Sequence, residues 1–347
     1  MQELTVGLLG CGNVGSALWH WIGRTQQYIT DRDGTRINVR HVLVRDAQKM
    51  RGVLPSPQCI TADAEKILTD PDVDVIVEVL GGYEPARTCL LEALQRGKHI
   101  VTANKVVVAR AWDELSQAAA ERDLYFGYEA AVGAALPVVA ALKGPLAATP
   151  LRRVRGIING TSNYILTRMG QGLAFDEALA EAQRLGYAEP DPADDLDGWD
   201  AAYKIAILSA LAFDWNLDMS QVQVEGIRHI SRADVEAARR AGGAIRLLAS
   251  GQRDRAGAVQ LRVAPVELPA DDPLAGVDGV ENAVLVEGEP LGSVTFRGAG
   301  AGPLPTAAGL LGDLRQLGLQ RRRSAAGLTA PLSGGGRRVL GVRPDAY

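Results

Sequence analysis

The segment TVGLLGCGNVGSALWHWIG, residues 5–23, decides the fold of this chain. It begins as a short apolar strand, and Gly10, Gly12 and Gly15 then follow in the pattern G-x-G-x-x-G before a run with helical spacing. Such glycines permit a tight turn, close approach of the backbone to a pyrophosphate and close helix packing. The alternative is a turn that uses glycine only for chain reversal. The segment predicts a dinucleotide site formed by Gly10, Gly12, Asn13, Val14 and Gly15.

Strand and helix patterns alternate from this turn to residue 127. The predicted strands are 39–44, 73–80, 99–102 and 124–127, and the predicted helices are 64–68, 85–96 and 107–122. The polar connection 25–37 is longer than a usual loop of this kind, and we expect it to be a surface excursion. The repetition predicts the α/β class, with a doubly wound parallel sheet of the Rossmann type.

The regular alternation ends after residue 142, which predicts a second, α+β domain. Its expected elements are strand 154–158, helix 175–185 and strands 260–266, 283–286 and 293–296, in a mixed or antiparallel sheet. Helix 306–317 is expected to return to the first domain. The predicted division is therefore a nucleotide domain at 1–135 plus 303–320, a substrate domain at 136–302 and a flexible tail at 321–347.

Composition bounds the class of protein. The 347 residues suit two domains, and a hydrophobic content of 47% is ample for packed cores. A net charge of −4 with interspersed signs offers no basic surface for nucleic acid, and no apolar run approaches the roughly 18 residues of a membrane span. No signal peptide precedes the first strand. We therefore expect a cytoplasmic protein that acts on a small molecule.

Cysteine and histidine are too few to supply the chemistry. Cys11, Cys59 and Cys89 are too scattered for a disulfide framework or a metal site. The four histidines lie outside the polar clusters described below, although histidine is the commonest acid–base residue. Proton transfer is therefore expected to use lysine or a carboxylate.

Arg45 ends the second strand, where a conventional NAD-binding fold places an acid for the ribose 2′-hydroxyl. An arginine at this position can meet a 2′-phosphate, and Lys49 lies nearby in the sequence. We therefore expect NADP(H) to be favoured, with NAD(H) possible. The alternative is that Arg45 is an ordinary solvated side chain.

Residues 186–213, GYAEPDPADDLDGWDAAYKIAILSALAF, place a dense group of acids before an apolar helix that carries one lysine. Asp195, Asp197 and Asp200 fall at or before the start of that helix, and Asp200 precedes Lys204 by one turn. The pattern suits either a functional site or a capped core helix whose lysine reaches water. These residues alone leave both interpretations open.

Three further segments have compositions that folding alone does not require. TANK, residues 102–105, ends a parallel strand at the sheet edge where such folds bind ligands, which places Lys105 near the nicotinamide unless it is a solvated helix-start residue. YEAAVGAALPVV, residues 128–139, joins Glu129 to a turn of small residues that lets carbonyls converge. FRGAGAGPLPTAAGLLGDL, residues 296–314, is a glycine-rich turn before a helix or an interdomain hinge.

These blocks, with NGTSNYIL at 159–166, resemble the ordered signature blocks of the homoserine dehydrogenase family. Order and spacing agree over residues 6–317, and the acid-rich block is far more specific than the glycine pattern. The resemblance implies reversible, NAD(P)-dependent interconversion of L-aspartate 4-semialdehyde and L-homoserine. That reaction is a step toward threonine, methionine and isoleucine.

The resemblance also implies roles for single residues. Lys204 matches the proton donor to the aldehyde oxygen, and Lys105 matches a lysine that assists beside cofactor and substrate. The residues matched to substrate binding are Glu189, Asp195 and Asp200, with the backbone of Gly186 nearby. Gly302 matches a cofactor contact.

The block at 128–139 resembles the family's site for a monovalent cation, sodium or potassium. Its ligands are largely main-chain oxygens that match Glu129, Val132, Ala134 and Leu136. Many members have a glycine triplet where this chain has Ala134, Ala135 and Leu136. The resemblance further implies a homodimer built on the substrate domain, and we expect neither the regulatory domain nor the kinase domain of longer members.

Elementary chemistry agrees with two lysines at the site. Hydride delivered to an aldehyde carbon leaves negative charge on oxygen, so a nearby cation lowers the barrier and a proton must arrive. Efficient exchange requires a lysine pKa that falls from about 10.4 to roughly 7–8, and a paired Asp200 opposes that fall. Thr161, Ser162 or backbone amides could bind the carboxylate end of an amino-acid substrate.

Two other functions are compatible with a nucleotide-binding fold of this kind. A semialdehyde dehydrogenase that phosphorylates its substrate needs a cysteine nucleophile, and the three cysteines lie in contexts that do not suggest one. A non-catalytic NADP-sensing protein could keep the fold without the catalytic residues. The presence of Lys204 and Glu189 disfavours that second alternative.

Overall fold

A computed structural model describes residues 2–46 and 57–325 of the chain. The first half forms a six-stranded sheet with the order β3-β2-β1-β4-β5-β6. Every neighbouring pair in it is parallel, which confirms the predicted α/β class with a Rossmann-type sheet. The strands are β1 (Gln2–Leu9), β2 (Thr35–Leu43), β3 (Ile60–Thr61), β4 (Val75–Glu78), β5 (His99–Thr102) and β6 (Phe126–Gly127).

Helices cover both faces of this sheet. They are α1 (Asn13–Asp33), α2 (Ala64–Leu68), α3 (Ala86–Gln95), α4 (Lys105–Arg110) and α5 (Trp112–Ala120). One face of the sheet packs with α1 in a core that includes Leu4, Val6 and Leu18, and the other face packs with α3 and α5. The central strands are buried on both sides, as parallel strands usually are.

Two predicted elements of the first half differ in extent from the helices observed. Helix α1 continues to Asp33, so most of the segment 25–37 is helix and not a surface loop. The reason is a buried stripe at helical spacing, Leu18, Ile22, Ile29 and Asp33, which the polar residues on the outer face obscure. The predicted helix 107–122 is two helices, because Ala111 leaves the helical region at φ −114° and ψ 26°.

The second half forms a mixed six-stranded sheet with the order β12-β11-β7-β9-β10-β8, as predicted in kind. Only the β10–β8 pair is parallel. Its strands are β7 (Leu151–Ile157), β8 (Val222–Val224), β9 (Ala244–Arg253), β10 (Val259–Leu268), β11 (Glu281–Gly288) and β12 (Gly292–Ala299). The accompanying helices are α6 (Glu129–Val132), α7 (Val138–Lys143), α8 (Gly160–Gly170), α9 (Phe175–Arg184), α10 (Ala193–Leu196), α11 (Trp199–Phe213) and α12 (Arg232–Arg240).

Helix α11 lies at the centre of the molecule. It contacts β7, β9 and β10 of the second sheet and also α4 of the first half. Residues on every side of it are buried, including Ile205, Ile207 and Leu208, which is typical of an interior helix. Its position brings the lysine on this helix toward the carboxyl end of the parallel sheet.

The last described element, α13 (Pro303–Ala325), returns to the first sheet as expected. It packs along α1, with Leu310, Leu314 and Leu317 buried in the same core. The helix extends into the segment predicted as a flexible tail, and Arg321 pairs with Asp74 at 2.7 Å. Residues 326–347 lie outside the described part of the chain.

None of the helices within residues 2–46 and 57–325 combines the length and the apolar character that a membrane crossing requires.

Candidate active site

Three charged side chains meet where α11 packs against α4. Lys204 Nζ donates to Asp200 Oδ2 and to the Ile158 carbonyl oxygen, both at 2.9 Å. Lys105 Nζ lies 2.9 Å from the other carboxylate oxygen, Asp200 Oδ1. Asp200 therefore bridges the two lysines that the sequence singled out, one from each half of the chain.

Burial and neighbouring charges determine the ionisation of the residues in this bridge. Asp200 and Lys204 are buried, whereas the Lys105 side chain keeps 35% of its exposure. Burial alone would raise the pKa of Asp200, but the Lys204 and Lys105 ammonium groups hold that pKa well below its usual range. The Asp200 carboxylate in turn raises the pKa of Lys105. The expected fall of a lysine pKa is therefore not found at Lys105, which suits a fixed positive charge.

Asn159 joins the second acid to the bridge and was missed by the sequence analysis. Its Nδ2 donates to Asp195 Oδ1 at 2.6 Å and to Asp200 Oδ2 at 2.9 Å. Its Oδ1 accepts from the Ser162 amide at 2.8 Å, so the same side chain caps α8. An asparagine just before a helix is a readable cap signal. Burial and the Asp200 charge raise the pKa of Asp195.

The loop that carries Gly186 and Glu189 is tied to the site through its backbone. Thr161 Oγ1 donates to the Tyr187 carbonyl oxygen at 2.7 Å. Gly186 is exposed and has a φ of 77°. The Glu189 side chain is exposed and forms no hydrogen bond or ion pair with any residue in 2–46 or 57–325. The structure thus brings Asp195 and Asp200 together but leaves the Glu189 carboxylate free of both lysines.

The hydroxyl groups proposed for the substrate carboxylate are already engaged. Ser162 is fully buried and its Oγ donates to the Asn159 carbonyl oxygen at 3.3 Å. The Thr161 hydroxyl is occupied by the loop contact just described. The suggestion that these hydroxyls hold the substrate is therefore not supported.

The glycine turn between β1 and α1 fits a dinucleotide phosphate. Gly10 has a φ of 106°, and a Cβ on Gly15 would lie 2.2 Å from the Gly10 carbonyl oxygen, so both positions require glycine. Gly12 and Asn13 are exposed, nothing lies within 4 Å of a Cβ on Gly12, and no side chain caps the helix. The first amides of α1, at Asn13, Val14 and Gly15, are thus left for an anion.

The other predicted cofactor residues are partly described. Arg45 is exposed just beyond the end of β2, where a 2′-phosphate is expected to lie. Gly302 is exposed with a φ of 109° immediately before α13. Lys49 lies outside the described residues.

The turn after α6 fits a monovalent cation. Val132 and Ala134 are buried, and neither carbonyl oxygen accepts a hydrogen bond from another residue of the described ranges. Ala134 has a φ of 52°, a left-handed conformation that glycine adopts more readily than alanine. The Leu136 carbonyl oxygen accepts from the Val138 amide at 2.8 Å and retains a second lone pair. Buried carbonyl oxygens without hydrogen bonds are the ligands that such a cation prefers.

Two buried carboxylates lie at this turn. Glu129 accepts from the Val139 and Ala140 amides at 2.8 and 2.7 Å, and its own amide donates to Asp313 Oδ2 at 3.0 Å. Burial and the Asp313 charge raise the pKa of Glu129 to about 7. Burial also raises the pKa of Asp313 to about 6. The Lys143 ammonium group acts against both rises in pKa, so one negative charge is left over at this turn when both carboxylates are ionised.

No group of three or more His, Cys, Asp or Glu side chains that could hold a metal occurs in the described part of the chain. Cys89 and Cys11 lie in settings that do not suggest a nucleophile. Cys89 is buried on α3, and burial raises the pKa of its thiol, which disfavours the reactive thiolate. Cys11 lies inside the glycine turn, 3.6 Å from Ser16 Oγ.

Known proteins resemble this chain along most of its length. The homoserine dehydrogenase family model matches residues 137–314, and that of the homoserine dehydrogenase NAD-binding domain matches residues 10–129. The homoserine dehydrogenase of Synechocystis sp. is 46% identical over 322 residues, which cover 90% of this chain and 73% of the relative.

Solved structures show the same relationship. A homoserine dehydrogenase from Thiobacillus denitrificans has a TM-score of 0.89 and 40% identity, covering 95% of this chain and 76% of that one. A hyperthermophilic archaeal homoserine dehydrogenase mutant in complex with NADPH has a TM-score of 0.77 and 27% identity, covering 90% of this chain and 97% of that one. The family models, the relatives and the fold agree, and the chain belongs to the homoserine dehydrogenase family of NAD(P)-dependent oxidoreductases.

Proposed function

We propose that Lys204 and Lys105 divide the catalytic work of a homoserine dehydrogenase, on the strength of one observation: Asp200 bridges both ammonium groups. NAD(P)H supplies the hydride that reduces L-aspartate 4-semialdehyde. Lys204 donates the proton to the aldehyde oxygen. Lys105, whose pKa Asp200 raises, stays charged and stabilises the negative charge that develops on that oxygen.

The acids beside this bridge hold the amino-acid end of the substrate. A substrate α-ammonium requires carboxylates, and Asp195 and Asp200 already share the Asn159 amide. Glu189 is exposed and unpaired in the described structure, so it is available to meet the same ammonium group without first breaking an ion pair. The backbone of Gly186 lies on the same loop. We assign cofactor binding to residues 1–135 plus 303–320 and substrate binding to residues 136–302.

One assay tests the reaction and its requirements together. Initial rates of L-homoserine oxidation are measured with NAD and with NADP, each with and without sodium or potassium. Turnover with homoserine supports the proposal, and saturable NADP binding without turnover of homoserine would favour the NADP-sensing alternative. Size measurement in solution tests the proposed homodimer, and a cytoplasmic location in amino-acid biosynthesis remains part of the proposal.

Arg45 is proposed to select NADP(H) over NAD(H). Arg45 is exposed and pairs with no acid in residues 2–46 or 57–325, which supports a role in binding a 2′-phosphate, and a homoserine dehydrogenase structure with similar fold carries NADPH. We expect Arg45→Ala to weaken NADP(H) by about 1–3 kcal/mol, the range of a charged hydrogen bond, and to leave NAD(H) nearly unchanged. Binding constants for both cofactors check this, with Arg36→Ala on the exposed face of β2 as the control. An unchanged preference would show that Arg45 does not select the cofactor.

The turn formed by Glu129, Val132, Ala134 and Leu136 is proposed to bind sodium or potassium. The support is the pair of buried carbonyl oxygens without hydrogen bonds, together with the two nearby carboxylates of raised pKa. The ion would hold the turn that leads into α7. It takes no direct part in proton transfer.

The cation should change the pH dependence of stability. With a folded pKa of about 7 against an ordinary 4.5, Glu129 holds a proton that the unfolded chain has lost. The raised pKa of Asp313 means that this carboxyl also binds its proton more tightly in the folded chain. Without sodium or potassium, the free energy of unfolding should therefore fall as pH rises from about 5 to 7. A bound cation favours the ionised carboxylate and should flatten this slope.

Denaturant unfolding in tetramethylammonium chloride and in sodium or potassium chloride, at equal ionic strength, measures the effect. Glu129→Gln serves as the control and should lose most of both the pH slope and the cation response. Identical slopes for the natural chain in all three salts would count against cation binding at this turn.

A further inference from the structure

Glu78 is a fully buried carboxylate at the carboxyl end of β4. In the sheet it stands opposite Leu9 of β1 and Thr102 of β5. It is thus flanked by the strand that leads into the glycine turn and by the strand that leads into TANK. A Cβ on Gly10 would lie 2.8 Å from the carbonyl oxygen of Val79, the next residue. Glu78 lies directly beneath the proposed cofactor edge.

The groups around Glu78 are hydrogen-bond donors. Thr102 Oγ1 donates to Oε2 at 2.5 Å, and the Leu80 and Gly81 amides donate to Oε1 at 2.7 and 3.3 Å. Asn104 Nδ2 approaches Oε1 at 3.5 Å. The Thr102 hydroxyl itself accepts from the Asn104 amide at 3.0 Å, which directs its proton toward Glu78. An ionised carboxylate, which is an acceptor only, matches this set of donors.

No ion pair compensates the charge of Glu78 within the described ranges. Burial raises the pKa of this carboxyl, and the hydrogen bonds from Thr102 and from the Leu80 and Gly81 amides act in the opposite direction. A buried carboxylate without a cation is costly to keep for packing alone. We therefore look for the role of Glu78 in the residues that its hydrogen bonds keep in place.

What it holds is the start of α4. Asn104 is the N-cap of that helix, and its side chain accepts from the Val107 amide at 3.3 Å and donates to the Gly82 carbonyl oxygen at 2.6 Å. Lys105 is the next residue. The loop after β4 is held from the other side as well, because the Arg110 guanidinium lies 4.3 Å from the Tyr83 ring centre.

We propose that Glu78 is a positioning residue that fixes the Thr102–Asn104 turn and thereby holds Lys105 against Asp200. The chain of contacts runs from Glu78 through Thr102 to the Asn104 amide, and from there to the first residue of α4. The role deepens the proposed function, because it rests on Lys105 as the charged lysine of the site. A turn that is free to shift would move the Lys105 ammonium away from the substrate oxygen.

The test is Glu78→Gln, which keeps the shape of the side chain and removes its charge. We expect kcat to fall by about 10-fold to 10²-fold, the cost of misplacing a catalytic group by up to about 1 Å. NADPH binding, which rests on the glycine turn, should stay within about twofold of the natural chain. The deuterium isotope effect on kcat/KM, with homoserine deuterated at the carbinol carbon, should increase because hydride transfer becomes slower than the other steps.

Glu84→Gln is the matched control, because Glu84 is exposed on the same loop and its carboxylate binds Thr88 and Arg87 and no other part of the described structure. It should behave like the natural chain. If Glu78→Gln does not fold, Thr102→Val removes the central hydroxyl and carries the same test. The proposal is overturned if the folded variant keeps kcat and the isotope effect unchanged, or if kcat falls only in parallel with NADPH affinity and with no change in the isotope effect.

Lys105→Ala, measured beside these variants, separates the catalytic role of Lys105 from the positioning role of Glu78. Natural turnover in Lys105→Ala overturns the role of Lys105 and with it that of Glu78. Slow Lys105→Ala beside a normal Glu78→Gln overturns the positioning role alone.

Discussion

Lys204→Ala is expected to lower kcat for both directions of the reaction by about 10²–10⁴-fold, the usual contribution of a positioned proton donor or acceptor. The residue is the only lysine whose ammonium group reaches both Asp200 and a buried carbonyl oxygen in the described part of the structure, at 2.9 Å each. Removal leaves Lys105 to stabilise charge on the oxygen but removes the proton source. A residual rate is expected, because the remaining charge and the binding of both substrates still help.

Fluorescence titration with NADPH separates chemistry from binding in this variant. The glycine turn lies between β1 and α1, whereas Lys204 lies on α11 and bonds to Asp200 and Ile158, so NADPH affinity should stay within about twofold. Lys66→Ala, on the exposed face of α2, is the control for a loss of lysine elsewhere. Near-normal turnover in Lys204→Ala would remove Lys204 from the mechanism.

The fold could be predicted wherever local pattern and tertiary contact agree. The glycine turn is local, because the crowding between Gly15 and the Gly10 carbonyl oxygen arises within six residues of chain. The length of α1 was misjudged for the opposite reason. Its last turns are polar in sequence, and their buried stripe ends in Asp33, a residue that composition assigns to solvent. Asp33 is buried because Arg315 of α13 pairs with it at 2.5 and 3.0 Å.

The contacts of the site also divide into local ones, which the sequence predicts, and long-range ones, which it does not. Asp200 and Lys204 are one turn apart on one helix, so their pairing follows from helical spacing. The contact of Lys105 with Asp200 joins two halves of the chain, and periodicity carries no information about it. Asn159 and Glu78 were missed because each acts through buried hydrogen bonds to distant residues. Only the family resemblance placed the distant blocks in one site.

Asp200→Asn is expected to reduce both stability and activity. The change keeps the shape of the side chain but leaves the Lys105 and Lys204 ammonium groups facing each other without a carboxylate. Removing one partner of a buried ion pair costs roughly 3–5 kcal/mol, and the partial exposure of Lys105 holds our expectation to the lower end. The kcat should also fall, because the carboxylate that holds both ammonium groups in place at 2.9 Å is removed.

The stability that the Asp200 bridge contributes should depend on pH. Since the folded pKa of Asp200 is lowered, its stabilisation is present above the ordinary value of 3.8 and is lost as pH falls below it. The raised pKa of Lys105 means that its share is present below the ordinary 10.5 and is lost as pH rises beyond it. The natural chain and Asp200→Asn should therefore differ by a constant free energy of unfolding near neutral pH and converge in acid.

Denaturant unfolding at neutral and at acid pH measures this difference. Asp197→Asn is the matched control, because Asp197 pairs with Arg228 at the surface of the same segment and such pairs contribute at most about 1 kcal/mol. Asp200→Asn should be less stable than this control near neutrality and should approach it in acid. If the two variants unfold alike at neutral pH and turn over homoserine at similar rates, Asp200 does not hold the lysines in place, and the bridge is not the centre of the site.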